Sequence, residues 1–191
     1  QLLESQAAAI LGKRIYAKFG KTLPFLLKIM SVAEPISIQA HPDRDWARKL
    51  HQQDARNYPD DNHKPEIAVA IGSLSMLSGF RPFAEIVKNV RETPEFRELI
   101  EPEALHRFYQ ADGPAEQKQA LKEVFGYVLA FSGIKQPARR LFERLKSKER
   151  RSLEEEFILG LEQYYPQGDS GLFCFYFLNL ITLSDGQAVF L

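Results

Sequence analysis

The stretch Ser-Ile-Gln-Ala-His-Pro-Asp at residues 37–43 follows an apolar run and precedes a charged segment with a helical pattern. The segment Ile36–Ala40 is predicted to be a short strand, in which alternate side chains point to the same face. Gln39 and His41 lie two residues apart and would share that face. Imidazole nitrogen suits zinc, whereas an amide oxygen is an uncommon zinc ligand. The stretch therefore predicts half of a metal site.

A second stretch, Tyr-Pro-Asp-Asp-Asn-His-Lys-Pro-Glu at residues 58–66, can supply a carboxylate and a lysine. Lys64 and Glu66 have the same spacing as the first pair, and Pro65 between them is tolerated only at a strand's first residues or on an edge. That places them at the mouth of a sheet, where ligand sites often lie. The alternative is a hydrogen-bonded histidine at a strand end and a solvated carboxylate. The two stretches together predict one polar cluster: Gln39, His41, Lys64 and Glu66.

Lys28 is a candidate addition to this cluster. It interrupts the apolar run Leu23–Val32, which is predicted to be a buried strand because it is short and bounded by turn signals. Either the stem of the lysine packs while its amine reaches solvent, or the amine points into a site.

Composition narrows the function classes. The 191 residues include 25 Lys+Arg and 25 Asp+Glu, so there is no overall basic field of the kind that nucleic-acid binding needs. Cys174 is the single cysteine, which excludes an intrachain disulfide and fits a reducing compartment. No apolar run approaches the roughly 20 residues of a membrane span. The absence of an initial Met and the final apolar run Ala188–Leu191 suggest a piece of a longer protein.

Apolar spacing and turn residues predict the remaining elements. Residues 1–19 form a helix that Gly20 ends. A second helix begins after the N-cap Asp43, ends near Gln53 and carries His51, which is expected to be exposed. Strands are predicted at Glu66–Ile71, at its neighbour Leu74–Phe80, and in a hairpin of Ile181–Leu183 with Gln187–Leu191.

A block of helices separates these strands. Prolines recur at predicted first turns, where the missing N–H costs nothing. The predicted helices are Pro82–Val90, Pro94–Ile100, Pro102–Gln110, Pro114–Phe131, Gln136–Lys148 and Ser152–Tyr165. The last begins with a capping box formed by Ser152 and Glu155. The charged runs Arg139–Arg151 and Glu154–Glu156 are expected to form solvated helix faces. The apolar stretch Leu172–Leu180 is either a core helix, which we favour, or a strand.

Strands that are interrupted by helices and then resume predict an α+β fold with a helical insertion. The expected division is residues 1–81 as part of a catalytic β domain with flanking helices, 82–180 as a helical domain, and 181–191 as the start of the returning strands.

Two motifs resemble one family. Ser-Ile-Gln-Ala-His-Pro at 37–42 and Tyr-x-Asp-x-Asn-His-Lys-Pro-Glu at 58–66 are together similar to the type I phosphomannose isomerases. Three further segments are similar to family segments in the expected order: Leu23–Ser31, Gly79–Pro82 and Phe177–Leu180.

The resemblance implies a zinc enzyme with a cupin-type (jelly-roll-like) β-barrel. Such an enzyme interconverts mannose 6-phosphate and fructose 6-phosphate through a cis-enediol. The implied zinc ligands are Gln39, His41 and Glu66, with a fourth, a histidine in a His-Ala-Tyr motif, expected beyond Leu191.

The resemblance also assigns active-site positions. Lys64 is the candidate for proton transfer, and Lys28 is the candidate for charge stabilisation or phosphate contact. Ser37 and His63 are expected in or beside the site as substrate-binding residues.

Further expectations follow from the same resemblance. The enzyme would be a cytoplasmic monomer that acts on a small sugar phosphate, feeds GDP-mannose synthesis, and binds neither nucleic acid nor membrane. Two alternatives stay open: a non-catalytic cupin-like module that binds metal or sugar, and a truncated isomerase that is inactive by itself.

Overall fold

The computed structural model describes residues 2–191 as two compact units, which divide between Glu34 and Pro35. The first unit contains helices α1 (Leu2–Leu11) and α2 (Lys13–Phe19). Gly12 separates them at a φ of 77°, so the prediction of one unbroken helix up to residue 19 is wrong. The prediction that Gly20 ends the helix is confirmed, since its N–H donates to the Tyr16 carbonyl at 2.8 Å.

The predicted strand Leu23–Val32 is wrong. The segment has no regular structure, and its apolar side chains are exposed, Leu27 to 83% and Ile29 to 86%. The strand predicted at Ile36–Ala40 is absent as well. A strand depends on a neighbouring strand to pair its N–H and C=O groups, and an apolar pattern cannot show whether that neighbour is present. Gln39 and His41 therefore do not share a strand face.

The second unit begins with helix α3 (Arg44–Gln53). The predicted N-cap is confirmed, because the Asp43 carboxylate accepts a hydrogen bond from the Trp46 N–H at 2.8 Å. The polar stretch that follows is a loop, as its turn residues predict.

Within residues 2–191, four strands form two antiparallel ladders. They are β1 (Ile67–Val69), β2 (Leu74–Phe80), β3 (Leu178–Leu183) and β4 (Ala188–Phe190). β1 pairs with β4 and β2 pairs with β3. The predictions that β1 and β2 are neighbours and that β3 and β4 form a hairpin are therefore wrong.

The loops between the strands explain this pairing. The Gly72 N–H donates to the Asp185 carboxylate at 2.7 Å, and the Gly186 N–H donates to the Ala70 carbonyl at 2.9 Å. Each turn signal therefore marks a bend between two ladders. Local sequence does not distinguish such a bend from a hairpin turn.

Helices fill the segment between β2 and β3. None in the described residues is long and apolar enough to cross a membrane. They are α4 (Phe83–Glu92), α5 (Phe96–Leu99), α6 (Pro102–Gln110), α7 (Pro114–Ala130), α8 (Lys135–Lys146), α9 (Leu153–Gly160), a 3₁₀ turn (Leu161–Gln163) and α10 (Gly171–Cys174). The prediction of six helices at these places is confirmed, with shorter ends for several of them.

Two local predictions in this block have opposite outcomes. The capping box is confirmed, since Ser152 Oγ accepts from the Glu155 N–H and the Glu155 carboxylate accepts from the Ser152 N–H. The stretch Leu172–Leu180 is helical only as far as Cys174, and β3 begins at Leu178. The favoured assignment of a single core helix is therefore wrong in its second half.

The apolar core lies among these helices and the first residue of β3. Phe96 is fully buried and makes edge-to-face contacts with Phe173 and Phe177, at ring-centre distances of 5.4 and 5.5 Å. Burying such a side chain stabilises a fold by roughly 1.5–3 kcal/mol. Cys174 is buried in the same core, and burial raises the pKa of its thiol to about 12.

Ion pairs connect the charged runs. Most of these side chains are exposed, as the sequence predicts, but Glu95 is an exception at 4% exposure. Its carboxylate accepts two hydrogen bonds from the Arg144 guanidinium, both at 2.9 Å, which satisfies the buried charge.

The two ends of the helical block meet at one junction, formed by Arg81 and Asn179. The Arg81 N–H donates to the Phe177 carbonyl at 2.8 Å, and its Nε donates to the Leu178 carbonyl at 2.9 Å. The Asn179 amide nitrogen lies 3.1–3.3 Å from the carbonyl oxygens of Ser78, Gly79 and Phe80. This amide supports the bulge at residues 78–80, where Gly79 adopts a φ of 66°.

The junction predicts a specific cost for Asn179→Asp. The variant keeps the shape of the side chain but aims a carboxylate at three carbonyl oxygens. We expect the free energy of unfolding in urea to fall by about 2 kcal/mol or more. Gln119→Glu, the same chemical change on an exposed face of α7, is the control, and equal losses in the two variants would contradict the assigned role.

The Arg81–Glu154 pair predicts a pH dependence. The Arg81 guanidinium donates to the Glu154 carboxylate at 2.8 Å, and this bond holds the pKa of Glu154 below its ordinary value. A lowered folded-state pKa adds stability above the unfolded-state pKa, and that stability is lost as the pH falls through the folded-state pKa. The stability difference between the wild-type chain and Glu154→Gln should be largest near pH 7 and shrink toward pH 3. Exposed Glu149→Gln is the control, and a pH-independent difference for Glu154→Gln would refute the pairing.

Candidate metal centre

His41 and Glu66 meet in the second unit. His41 precedes the N-cap of α3, and Glu66 precedes β1. Their side chains are 22% and 35% exposed, and His41 Nε2 lies 3.4 Å from Glu66 Oε2. Glu66 and Leu191 make two backbone hydrogen bonds, at 2.8 and 3.4 Å, so the pairing of the β1–β4 ladder continues as far as Glu66.

Lys64 completes this cluster. Its Nζ lies 2.9 Å from Glu66 Oε1, while the other carboxylate oxygen faces His41. The structure therefore brings together His41, Lys64 and Glu66, and the same-side placement of Lys64 and Glu66 agrees with their two-residue spacing.

Two buried imidazole nitrogens in this region have no hydrogen-bond partner among residues 2–191. They are His41 Nε2 and His63 Nδ1. His41 Nε2 is within ion-pair distance of Glu66 but does not make a hydrogen bond to it. A buried polar atom without a partner costs about 1–3 kcal/mol, so His41 presents an unmet ligand atom.

This arrangement fits zinc. Two ligands at roughly 2.0–2.2 Å from a tetrahedral zinc ion lie roughly 3.4 Å apart. The His41–Glu66 distance of 3.4 Å has that value, and imidazole nitrogen and carboxylate oxygen are ordinary zinc ligands.

The other predicted residues have the following surroundings. Gln39 and Ser37 are exposed in an irregular segment, and neither makes a hydrogen bond within residues 2–191. Lys28 is exposed in the first unit. His63 is half-buried. Residues 2–191 contain no group of three or more His, Cys, Asp and Glu side chains placed to hold a metal, so a third ligand from these residues would be of another type, such as an amide.

Two carboxylates shape the loop that carries Lys64 and Glu66. Asp54 accepts hydrogen bonds from the Asn57 side chain at 2.6 Å and its N–H at 3.1 Å, and these bonds lower the pKa of Asp54. Asp60 accepts from the N–H and the side chain of Asn62, both at 2.9 Å, and its pKa is lowered for the same reason. The loop thus has a defined conformation.

Sequence reasoning missed one neighbour of the site. His51 is half-buried rather than exposed, and its Nδ1 lies 2.6 Å from the Tyr58 carbonyl oxygen. Its position in the last turn of α3, facing the turn-rich loop that follows, was the available signal.

The fold is a mixture of helices and strands in which a block of helices interrupts the strands. His41, just before α3, and Glu66, just before β1, are two side chains of the kinds that bind zinc. The model of the type I phosphomannose isomerase catalytic domain matches residues 1–83, and that of the family's helical insertion domain matches residues 90–178. The chain belongs to the type I phosphomannose isomerase family.

Relatives span the same regions. The mannose-6-phosphate isomerase of Homo sapiens is 40% identical over 190 residues, which cover 95% of this chain and 45% of the human protein. That of Saccharomyces cerevisiae is 38% identical over 207 residues, covering 100% of this chain and 48% of the yeast protein. The chain thus spans about half the length of these relatives.

Solved structures agree in fold. A Salmonella typhimurium mannose 6-phosphate isomerase bound to its substrate fructose 6-phosphate and to zinc superimposes with a TM-score of 0.82 at 29% identity, covering 99% of this chain and 48% of the other. A zinc-bound mannose 6-phosphate isomerase superimposes with a TM-score of 0.83 at 30% identity, with the same coverage. The predicted combination of helices and strands with a helical insertion is confirmed.

Proposed function

We propose that this chain belongs to a zinc-dependent isomerase that interconverts mannose 6-phosphate and fructose 6-phosphate. One observation carries the proposal: His41 and Glu66 present a nitrogen and an oxygen 3.4 Å apart, with the Lys64 amine 2.9 Å from the same carboxylate. The names of the relatives, and the zinc and fructose 6-phosphate in the Salmonella structure, support it.

Three side chains would hold the metal: Gln39, His41 and Glu66. His41 supplies the unpartnered Nε2, and Glu66 supplies the oxygen that faces it. Gln39 is exposed and makes no hydrogen bond within residues 2–191, so no bond has to break for its amide to bind. A bound zinc ion polarises carbonyl and hydroxyl oxygens and stabilises negative charge that develops on them.

Lys64 is the proposed proton-transfer group. Conversion of the aldose to the ketose removes the proton from C2, next to the carbonyl at C1, and returns a proton to C1 through a cis-enediol, while the hydroxyl proton passes from the C2 oxygen to the C1 oxygen. The transfer needs a basic group held at a fixed place beside the substrate carbons. The Lys64 amine is anchored to Glu66 next to His41, which meets that condition once the amine is neutral.

Lys28, Ser37 and His63 are the proposed substrate contacts. An ammonium, a hydroxyl and an imidazole are suitable partners for a phosphate or for sugar hydroxyls. Lys28 and Ser37 are exposed and His63 has a buried Nδ1 without a hydrogen-bond partner, so each has a polar group available for binding.

The finer architectural and cellular predictions belong to this proposal. They are a cupin-type barrel in the whole protein, the division at residues 81 and 180, a monomer, a cytoplasmic location, and a role in GDP-mannose supply. The antiparallel ladders of residues 67–80 and 178–190 are compatible with part of such a barrel.

Zinc titration tests the donor set. We expect the wild-type chain to bind one zinc ion and His41→Ala to bind it at least about tenfold more weakly, because one of the ligands is removed. Competition with a chromophoric chelator measures both affinities. His106→Ala, an exposed histidine on α6, is the control for non-specific binding by imidazole. Equal affinities of wild type and His41→Ala would refute the site.

Lys64→Met tests the chemistry separately from the metal. The Lys64–Glu66 pair is exposed, Lys64 to 58%, so its loss should change stability by less than about 1 kcal/mol. Zinc affinity should persist, while formation of fructose 6-phosphate and solvent-deuterium incorporation into the sugar should fall by at least about 100-fold. Wild type and Lys64→Met are assayed side by side with zinc added, in the form of the protein in which wild type is active.

The outcomes of this assay separate the alternatives. Near-normal turnover by Lys64→Met with zinc retained would exclude Lys64 as the proton-transfer group. A wild-type protein that binds zinc and sugar phosphate without isomerisation or deuterium exchange would instead match the non-catalytic binding module.

A further inference from the structure

His51 makes one short contact between the helix and the loop of the candidate metal centre. It lies in the last turn of α3, and its Nδ1 is 2.6 Å from the Tyr58 carbonyl oxygen. A carbonyl oxygen only accepts, so Nδ1 carries the proton in this bond. The bond joins the helix that follows His41 to the loop that leads to Glu66.

The path from His41 to His51 is a rigid connection. Asp43 caps the helix immediately after His41, and the ten residues Arg44–Gln53 form regular α-helix. The position of the His51 ring is thereby fixed relative to the start of α3. A hydrogen bond from this ring to Tyr58 therefore fixes the start of the loop 58–66 relative to the helix.

The other side-chain bonds of the loop are local. Asp54 binds Asn57, and Asp60 binds Asn62 and lies near enough to Asp61 for the same amide to reach it. These bonds shape the two turns but do not connect residues 58–66 to α3. At the first residue of the motif, the His51–Tyr58 bond makes the side-chain connection, beside the backbone bond from the Tyr58 N–H to the carbonyl of Asp54, the C-cap of α3, at 2.9 Å.

Glu66 is fixed from the opposite side. Its backbone pairs with Leu191 at the end of the β1–β4 ladder, and its carboxylate lies 3.4 Å from His41. The contacts form a closed circuit from His41 through α3, His51 and Tyr58 to Glu66, and back to His41. Removing one tether from such a circuit lets the distance between the two ligand atoms vary.

Local charge supports the same arrangement. When protonated, the His51 ring is a positive charge near the Asp60 carboxylate, and it adds to the effect of the Asn62 bonds that lower the pKa of Asp60. The hydrogen bond to the Tyr58 carbonyl is the contact that holds the ring to the loop in either charge state.

We propose that His51 is a positioning residue: by bonding the Tyr58 carbonyl it holds the loop 58–66 against α3 and so sets Glu66 at ligand distance from His41. The expected effect on zinc affinity rests on the proposed function. The effect of His51 on the loop does not, because it is a property of the metal-free chain.

Three variants test this role: His51→Ala, His51→Asn and His106→Ala. An asparagine side chain places its amide nitrogen close to the position of histidine Nδ1 and can donate to the Tyr58 carbonyl. Alanine removes the donor, and His106→Ala is the matched control on an exposed face of α6.

Three readouts are measured. In the chelator-treated chain, backbone amide hydrogen exchange at residues 60–64 and 66 should be at least about tenfold faster in His51→Ala than in wild type. Zinc affinity should fall about 10- to 100-fold in His51→Ala, as for other groups that orient ligands. The visible spectrum of the Co²⁺-loaded chain should change in the same variant. His51→Asn should restore all three, and His106→Ala should leave them unchanged.

The outcomes decide both questions. Unchanged exchange in His51→Ala, or a defect that His51→Asn fails to rescue, would overturn the positioning role. If the wild-type chain binds no zinc, the proposed donor set of this chain fails, and the exchange comparison alone then decides whether His51 holds the loop.

Discussion

The junction of Arg81 and Asn179 is the constraint on which the rest of the second unit depends. The chain leaves β2 at Phe80 and re-enters the strand system at Leu178, and these two residues are paired in register. Closing a segment of about a hundred residues costs entropy that grows only with the logarithm of its length, so a few well-placed bonds can close it. Arg81 and Asn179 supply such bonds from both strand ends to the backbone carbonyls opposite.

The same closure sets the metal centre. Once β2 and β3 are paired, the loop that precedes β2 and the loop that follows β3, bonded through Gly72 and Asp185, bring β4 alongside β1. The β1–β4 ladder ends with the pairing of Glu66 and Leu191, which fixes the backbone of the proposed ligand. The helical block is far from Glu66 in sequence, but its closure sets the pairing of the strands and, through that pairing, the position of the Glu66 backbone.

Sequence predicts this molecule where the determining interactions are local. The N-cap at Asp43 and the capping box at Ser152 are confirmed because a helix end is decided by bonds within four residues. The two-residue spacing of Lys64 and Glu66 likewise describes their proximity. Strand pairing is decided by partners about a hundred residues away or more, which is why the hairpin prediction is wrong. The two apolar strands predicted before residue 41 are wrong because an apolar pattern does not show whether a pairing partner is present.

Backbone contacts, rather than attractions among the site's side chains, keep the candidate centre in place. The exposed ion pair of Lys64 and Glu66 contributes little to stability, and the unpartnered Nε2 of His41 costs free energy. The fold therefore gains little from these three side chains, while α3, the loop and the β1–β4 ladder hold their backbones close together. A site built in this way keeps the unpartnered His41 Nε2 available to a metal ion, because the fold rather than a bond to that atom fixes its position.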